Sequence, residues 1–570
     1  MKWNLKEFFK NDNECMEFIN STEKNSIEFN QKYQNNLQNL TSSEFLEALK
    51  IYEKINENLA KFTTYAYLNF AIDTKSGSKL AKIEELYNKI SENLLFFSIE
   101  FNLLDENLKQ NFIENSSNYK YYLNLIVKQK SHELTFLEER ILLRVSLVGS
   151  SAFARLFDET MSNLRFEFDD KLLKEEEILS LLHSKDREVR KTAALSLSNT
   201  LKQNSHLLSY IFNMIKTDLK ITCDLKNYKF GEDVMHENNQ IEKESVDSLI
   251  KVTQENFDLV SDFYNKKREI LGYDELYDYD RYAPLGDDKY YSFEDCKEII
   301  LEAFNGFSKE FGDIAKTAFD ENWIDVYPDD NKIGGAFSHS AVSSIHPFVL
   351  LNFTSKRRDL FTLAHELGHA IHQKLAYKVG FLNSNTPLTT AETASVFCEM
   401  LVFDYVYKKS DKKERLNLLS SKLEDIFATL YRQINFTTFE REIHSYKNEL
   451  SSDEIGEIWY KHSKDMFGDC LILNDYYKFW WSYIPHFIHT PFYCYSYSYA
   501  QLLVLALFEL YKSGKCENFV EIYTKFLSLG GSKSPRDMLA MFGLDIQSKE
   551  FWEIGIKMVR NLVSEFKELK

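Results

Sequence analysis

Apolar residues recur along most of this chain every three to four positions, with polar residues between them. Phe45, Leu49, Tyr52 and Ile55 form one such stripe, and Leu80, Ile83, Leu86 and Ile90 another. This spacing gathers side chains on one helical face and predicts successive amphipathic helices from residue 1 to about 190. The segment 186–197 resembles a helix of a HEAT-type repeat, but no second copy follows at a fixed period, so it reads as an ordinary packed helix. The pattern changes at 323–354. There, 323–327, 334–339 and 347–354 are short β-prone runs punctuated by Gly and Pro. Helical periodicity resumes near 355 and continues to the C-terminus.

Composition sharpens this picture. Only 18 Gly and 7 Pro among 570 residues leave little turn chemistry, which favours a mainly α fold of long helices over a many-stranded one. The expected division is an N-terminal helical domain, 1–190, and a catalytic domain, 191–570. An acidic, Tyr-rich stretch at 273–292 reads either as a cleft wall or as a solvated connection. With 69 Lys and Arg against 87 Asp and Glu, the net charge is −18, which argues against nucleic acid or an anionic membrane as the main partner. No apolar run is long enough for a membrane span, and the first residues lack a signal-peptide core. Seven scattered Cys without a C-x-x-C pair fit reduced thiols, so a cytoplasmic location is expected. Oligomeric state leaves no trace in the pattern.

The chemistry concentrates in Phe361-Thr-Leu-Ala-His-Glu-Leu-Gly-His-Ala370. His365 and His369, four residues apart on a predicted helix, project from one face and suit two corners of a Zn²⁺ site, with Glu366 beside the open corner. Asp359 is a candidate cap for the start of this helix. The three-histidine extension of the motif fails, because His372 and Leu375 stand where it requires glycine and histidine. A carboxylate from the next helix is the alternative. The segment 389–400 offers Glu392, 23 residues past His369, behind two candidate N-caps, Thr389 and Thr390. Glu392 is the expected third ligand. Glu399, seven residues on, is placed to accept a hydrogen bond from a ligand imidazole. His372 reads as a residue packed beside the site, since a fourth protein ligand would close it.

Taken together, Gly334-Gly-Ala336-Phe337, 347–353, 362–372 and Ala391-Glu-Thr-Ala-Ser395 resemble the oligoendopeptidase F branch of the thimet oligopeptidase (M3) metallopeptidase family, in order and separation. The resemblance implies a prolate helical body with a deep substrate channel, a small β-sheet beside the zinc helix, one zinc per chain, and cleavage of short peptides rather than folded proteins.

In such an enzyme, zinc held by two His and one Glu keeps a position for water and lowers its pKa to about 7. Glu366 then acts as general base. The oxyanion needs a donor, and 484–500 is the best source. If Pro491 starts a helix, Tyr493 and Tyr497 share one face, and Tyr495 and Tyr499 another. The resembling family uses a His and Tyr residues from this region, and His486 matches best; spacing leaves open whether Tyr493, Tyr495 or Tyr497 faces the metal. Tyr495 is a candidate for substrate contact, and His489, His339 and His346 are weaker ones. The β region offers an edge strand for an extended peptide, with Gly334, Gly335, Ala336 and Phe337 as contacts. It departs from the family in carrying Ile333 where a basic residue commonly precedes the Gly pair. Two rival readings are a helical zinc metallocarboxypeptidase and a catalytically silent helical scaffold.

Overall fold

The computed structural model describes residues 2–286 and 289–569, so Asp287 and Asp288 of the acidic stretch lie outside the described residues. Helices dominate, and among the described residues strands are confined to one two-stranded and one three-stranded sheet. The chain forms two compact units, each assembled from three segments. The first takes 1–130, 288–408 and 516–543; the second takes 131–287, 409–515 and 544–570. The boundary expected near 190 falls inside the helix Arg187–Leu225, and each unit draws residues from both sides of it.

In the first unit, α1 (Asp12–Tyr33) and α2 (Ser42–Ile72) open the chain. Asn11 caps α1, and Thr41 with Glu44 forms a reciprocal capping box on α2. The predicted stripe of α2 faces inward: Phe45, Leu49 and Ile55 are buried, and Phe45 stacks on Phe112 at 4.2 Å between ring centroids. Each such buried side chain contributes about 1.5–3 kcal/mol. Ile83 and Ile90 of the second stripe are buried too, with Leu80 and Leu86 packed partly against the same core.

The β region condenses to three very short strands: β1 (Ile324–Asp325), β2 (Phe337–His339) and β3 (Phe348–Leu350). Their order is β1–β3–β2, parallel between β1 and β3 and antiparallel between β3 and β2, with Ser338 opposite Val349. Central β3 is wholly buried, which explains its unbroken apolar run. The ladders are shorter than the β-prone runs because Gly335 turns the chain at φ +81° and Pro347 has no N–H to donate. The Trp3 indole donates to the carbonyls of Trp323 and Val349, both at 2.9 Å, tying the N-terminus to the sheet.

Beside the sheet, Lys332 Nζ meets Asp325 Oδ1 at 2.6 Å, with both side chains at most 5% exposed. Lys332 also donates to the carbonyl of Tyr327. Lys332→Met would leave the Asp325 carboxylate buried and unpaired, and is expected to lower stability by about 3–5 kcal/mol. Urea unfolding followed by tryptophan fluorescence measures this; an unchanged midpoint would show that Asp325 finds another partner.

In the second unit, Asp186 caps the helix Arg187–Leu225, whose buried Ala193, Ala194, Leu197 and Leu201 account for the HEAT-like pattern. Arg187 and fully buried Arg190 both donate to Asp280, at 2.7 and 2.8 Å. Asp278 is buried as well, accepting from Asn474 and Tyr476. These two acids of the 273–292 stretch are therefore packed, not solvated.

Candidate metal centre

The helix α3 (Arg357–Ala376) carries the two histidines. Asp359 stands at its third position, not before it, and its carboxylate accepts from the amides of Thr354 and Lys356. Leu360, Leu363, Ala364, Leu367, Ala370 and Ile371 are buried, so apolar packing fixes the rotation of α3. That rotation presents His365 and His369 together, with Nε2 atoms 3.1 Å apart.

Glu392 arrives from a different kind of element than expected. Leu388–Ala391 forms a single helical turn, the chain breaks at Glu392, and α4 begins after it (Thr393–Lys409). Thr389 and Thr390 lie inside the short turn and are not caps. The break lets Glu392 point back: its Oε2 lies 3.2 Å from His365 Nε2 and 3.4 Å from His369 Nε2. The Ser395 hydroxyl donates to the same carboxylate at 2.7 Å, and Tyr523 donates to the carbonyl of Thr393, steadying the start of α4. Two helices can come this near because of Gly368. A Cβ there would lie 2.6 Å from Ser395 Cα and 2.7 Å from the carbonyl oxygen of Ala394.

The donor set suits a tetrahedral cation. Metal–ligand bonds of about 2.0–2.1 Å place tetrahedral ligands about 3.3–3.4 Å apart, and the three separations of 3.1–3.4 Å lie close to that edge. Glu399 Oε1 is 2.6 Å from His365 Nδ1, so that nitrogen donates to Glu399 and Nε2 faces Glu392, where it can carry a proton or, once deprotonated, bind a cation. Three lone-pair donors this close repel one another unless a proton or a cation lies among them. The charge balance reflects it. Burial pulls His365 down, but hydrogen bonds to Glu392 and Glu399 outweigh burial and hold the ring at about 10. Burial pushes Glu392 up, yet its bonds to both rings hold it far below the ordinary carboxylate range. The His365, His369 and Glu392 side chains are 25%, 19% and 36% exposed, so the group is open on one side.

Glu366 is buried beside this group, and burial raises its carboxyl pKa against the opposing pull of the two imidazoles. His372 lies beneath; burial, then the proximity of His369, pushes it down to about 4, while its ring bonds the backbone of Ala391. Gln373, one turn past His369, exchanges hydrogen bonds with Ser338 at 2.8 and 3.1 Å and ties β2 to α3. In β2's order β1–β3–β2, that strand is an edge. Gly334 and Gly335 are exposed with open space around them, while Ala336 and Phe337 are half-buried and the Phe337 ring packs on Trp3 and Tyr67. His339 accepts from the Ala341 amide, and His346 stacks on Trp323 at 4.8 Å; both serve local packing.

The remaining candidates belong to the second unit. His486, Tyr493 and Tyr497 are half-buried and cluster: His486 Nε2 is 3.3 Å from Tyr497 Oη, and the Tyr493 ring lies 5.0 Å from Tyr497 and 6.0 Å from His486. Tyr495, expected to contact substrate, is instead wholly buried, and its hydroxyl is held by His236 and Asn239. Tyr499 is buried likewise. The helix starts at Tyr495 and not at Pro491. His489 is exposed and bonds Asp158.

Residues 180–558 match the model of peptidase family M3, which is more than half of the chain. The chain belongs to peptidase family M3. Residues 100–166 match the oligopeptidase F model as well. Among curated M3 relatives, oligopeptidase PepF of Bacillus subtilis is 29% identical, aligned over 100% of this chain and 87% of its own. An oligoendopeptidase F homolog of Borreliella burgdorferi is also 29% identical, over 100% and 98%. A Chlamydophila abortus crystal structure superposes with TM-score 0.91 at 25% identity, covering 100% of this chain and 98% of that one. The fold of oligoendopeptidase-F from Enterococcus faecium matches with TM-score 0.72 at 21% identity over 98% of each. This M3 chain is thus a metalloendopeptidase with a His/His/Glu group able to hold a metal ion.

Gly368, Ser395 and Gln373 of this M3 site escape sequence reasoning. The glycine lies within the HExGH segment, but nothing local shows that another backbone passes it at 2.6 Å.

Proposed function

We propose that this M3 peptidase is a zinc-dependent oligoendopeptidase hydrolysing internal bonds of short, unstructured peptides. The observation that carries the reading is the near-tetrahedral approach of His365 Nε2, His369 Nε2 and Glu392 Oε2, with Glu366 buried alongside. Zinc held there would supply a Lewis acid for the scissile carbonyl and a water of lowered pKa. Glu366 takes the proton of the attacking water and delivers it to the amide nitrogen as the C–N bond breaks; its raised pKa brings its basicity closer to that of the proton it must carry. Glu399 keeps His365 in the tautomer that presents Nε2. The family resemblance and their mutual clustering make His486, Tyr493 and Tyr497 the proposed hydrogen-bond donors to the oxyanion. Burial, then the field of Arg432, lowers the His486 pKa and favours a neutral ring. The β2 edge and the Gly334–Gly335 turn pair with the peptide backbone. Seven unpaired cysteines support a reducing, cytoplasmic setting.

Purified protein assayed for metal and for cleavage of a quenched fluorescent peptide tests this. One zinc per chain and internal fragments from a longer peptide are expected. Stepwise C-terminal loss would assign a metallocarboxypeptidase, and metal without cleavage a silent scaffold. Glu392→Ala is expected to lose zinc on dialysis, whereas Glu399→Ala weakens affinity by about 10–100-fold. Equal retention in both variants would undo the ligand assignment.

A further inference from the structure

In the second unit, a cavity of about 30 Å³ is lined by Val260, Tyr264, Arg281, Tyr282, Tyr431 and Arg432, among others. Arg281 is 3% exposed. Its Nη1 donates to Tyr477 at 3.0 Å, and its Nε and Nη2 have no hydrogen-bond partner. Arg432 reaches Tyr483 at 3.2 Å and Tyr282 at 3.4 Å, and its Nε has no partner. Around them lie rings and phenols: the Arg281 guanidinium sits 4.6 Å from the Tyr282 ring and 5.5 Å from Phe467, and that of Arg432 sits 4.9 Å from Phe436.

The carboxylates nearby are already engaged. Glu424 lines the cavity but bonds buried Lys267 at 2.6 Å. Asp280 is shared by Arg187 and Arg190, and Asp278 accepts from the neutral Asn474 and Tyr476 and makes no ion pair with Arg281 or Arg432. Among the described residues no ion pair joins Arg281 or Arg432 to an acid. The buried Arg281 and half-buried Arg432 guanidiniums thus stand together with unpartnered N–H donors and no ion-paired acid, an arrangement that is costly unless something neutralises it. The field is strong: burial pushes the Tyr282 phenol up, yet Arg281 and Arg432 outweigh it and pull the group below its ordinary value.

We propose that a small monovalent inorganic anion, of the size and charge of chloride, binds in this cavity between Arg281 and Arg432. Guanidinium N–H groups are strong donors to anions and lack any acceptor role. The cavity is large enough for one water-sized sphere, the size of a small monovalent anion. The anion joins the chain near 281 to the helix Arg432–Ser445 and to the Tyr477–Tyr483 stretch, and so supports the unit that carries His486.

The test uses the full-length, metal-loaded protein. Its thermal midpoint is followed as sodium chloride replaces sodium gluconate at constant ionic strength. A saturable rise of about 1–3 °C is expected, reproduced by bromide, and absent in Arg281→Met. In crystals grown without chloride and soaked in sodium bromide, an anomalous peak is expected between the two arginines. That measurement decides the matter even if Arg281→Met does not fold. Absence of both the rise and the peak overturns the proposal. So does tyrosinate absorbance near 295 nm in neutral gluconate and chloride alike that Tyr282→Phe removes, because Tyr282 would then supply the negative charge.

Discussion

Glu366→Gln is expected to lower kcat by about 10²–10⁴-fold, with KM and metal content nearly unchanged. The side chain keeps its size, so the buried pocket beside His365 and His369 stays filled. The three atoms that converge on a metal come from His365, His369 and Glu392, and none is altered. What disappears is a carboxylate able to accept a proton; an amide cannot. Steady-state turnover of a quenched peptide, with metal analysis on the same sample, separates the two effects. Turnover within about threefold of the parent would remove Glu366 from the proton path, and loss of metal would give it a different role.

Gly368→Ala should be nearly as damaging, although Gly368 offers no functional group. The added methyl would meet Ser395 Cα, Ser395 N and the Ala394 carbonyl at 2.6–2.9 Å, all backbone atoms that cannot rotate aside. α3 and α4 must part, and Glu392 stands at the head of α4. Overpacking of this kind costs about 1–3 kcal/mol, and a displacement of several tenths of an ångström at a ligand is expected to lower kcat/KM on the order of 100-fold. Thermal unfolding and a zinc titration measure both. Partial rescue by excess zinc is expected, because the geometry is loosened and the ligands remain. Undiminished activity without added zinc would mean that the helices can yield elsewhere.

Much of the site was legible because its cues are local. The His365–His369 spacing and the apolar flank of α3 fix both element and face, and the reach from His369 picks out Glu392. Sequence did not foresee that Glu392 sits at a helix break, since the preceding threonines are good N-caps and only tertiary packing decides against them. Tyr493 and Tyr497 separate from Tyr495 and Tyr499 by helical period. Which pair turns inward depends on His236 and Asn239, some 250 residues away in sequence, and no pattern near 495 encodes them. The helical class was readable from periodicity throughout. The two-unit layout was not, because long-range returns of the chain leave no mark on local spacing.

Those returns bear on how the protein is made. The unit bearing His365 and Glu392 includes 516–543, whose helix Phe519–Ser528 packs on α3 and supplies the Tyr523 bond to Thr393. During synthesis the ribosome must therefore have released the chain through residue 543 before this unit can close. The histidines emerge well over a hundred residues earlier, so at ordinary elongation rates of about 5–20 residues per second the nascent chain waits on the order of ten seconds or more with that unit unfinished.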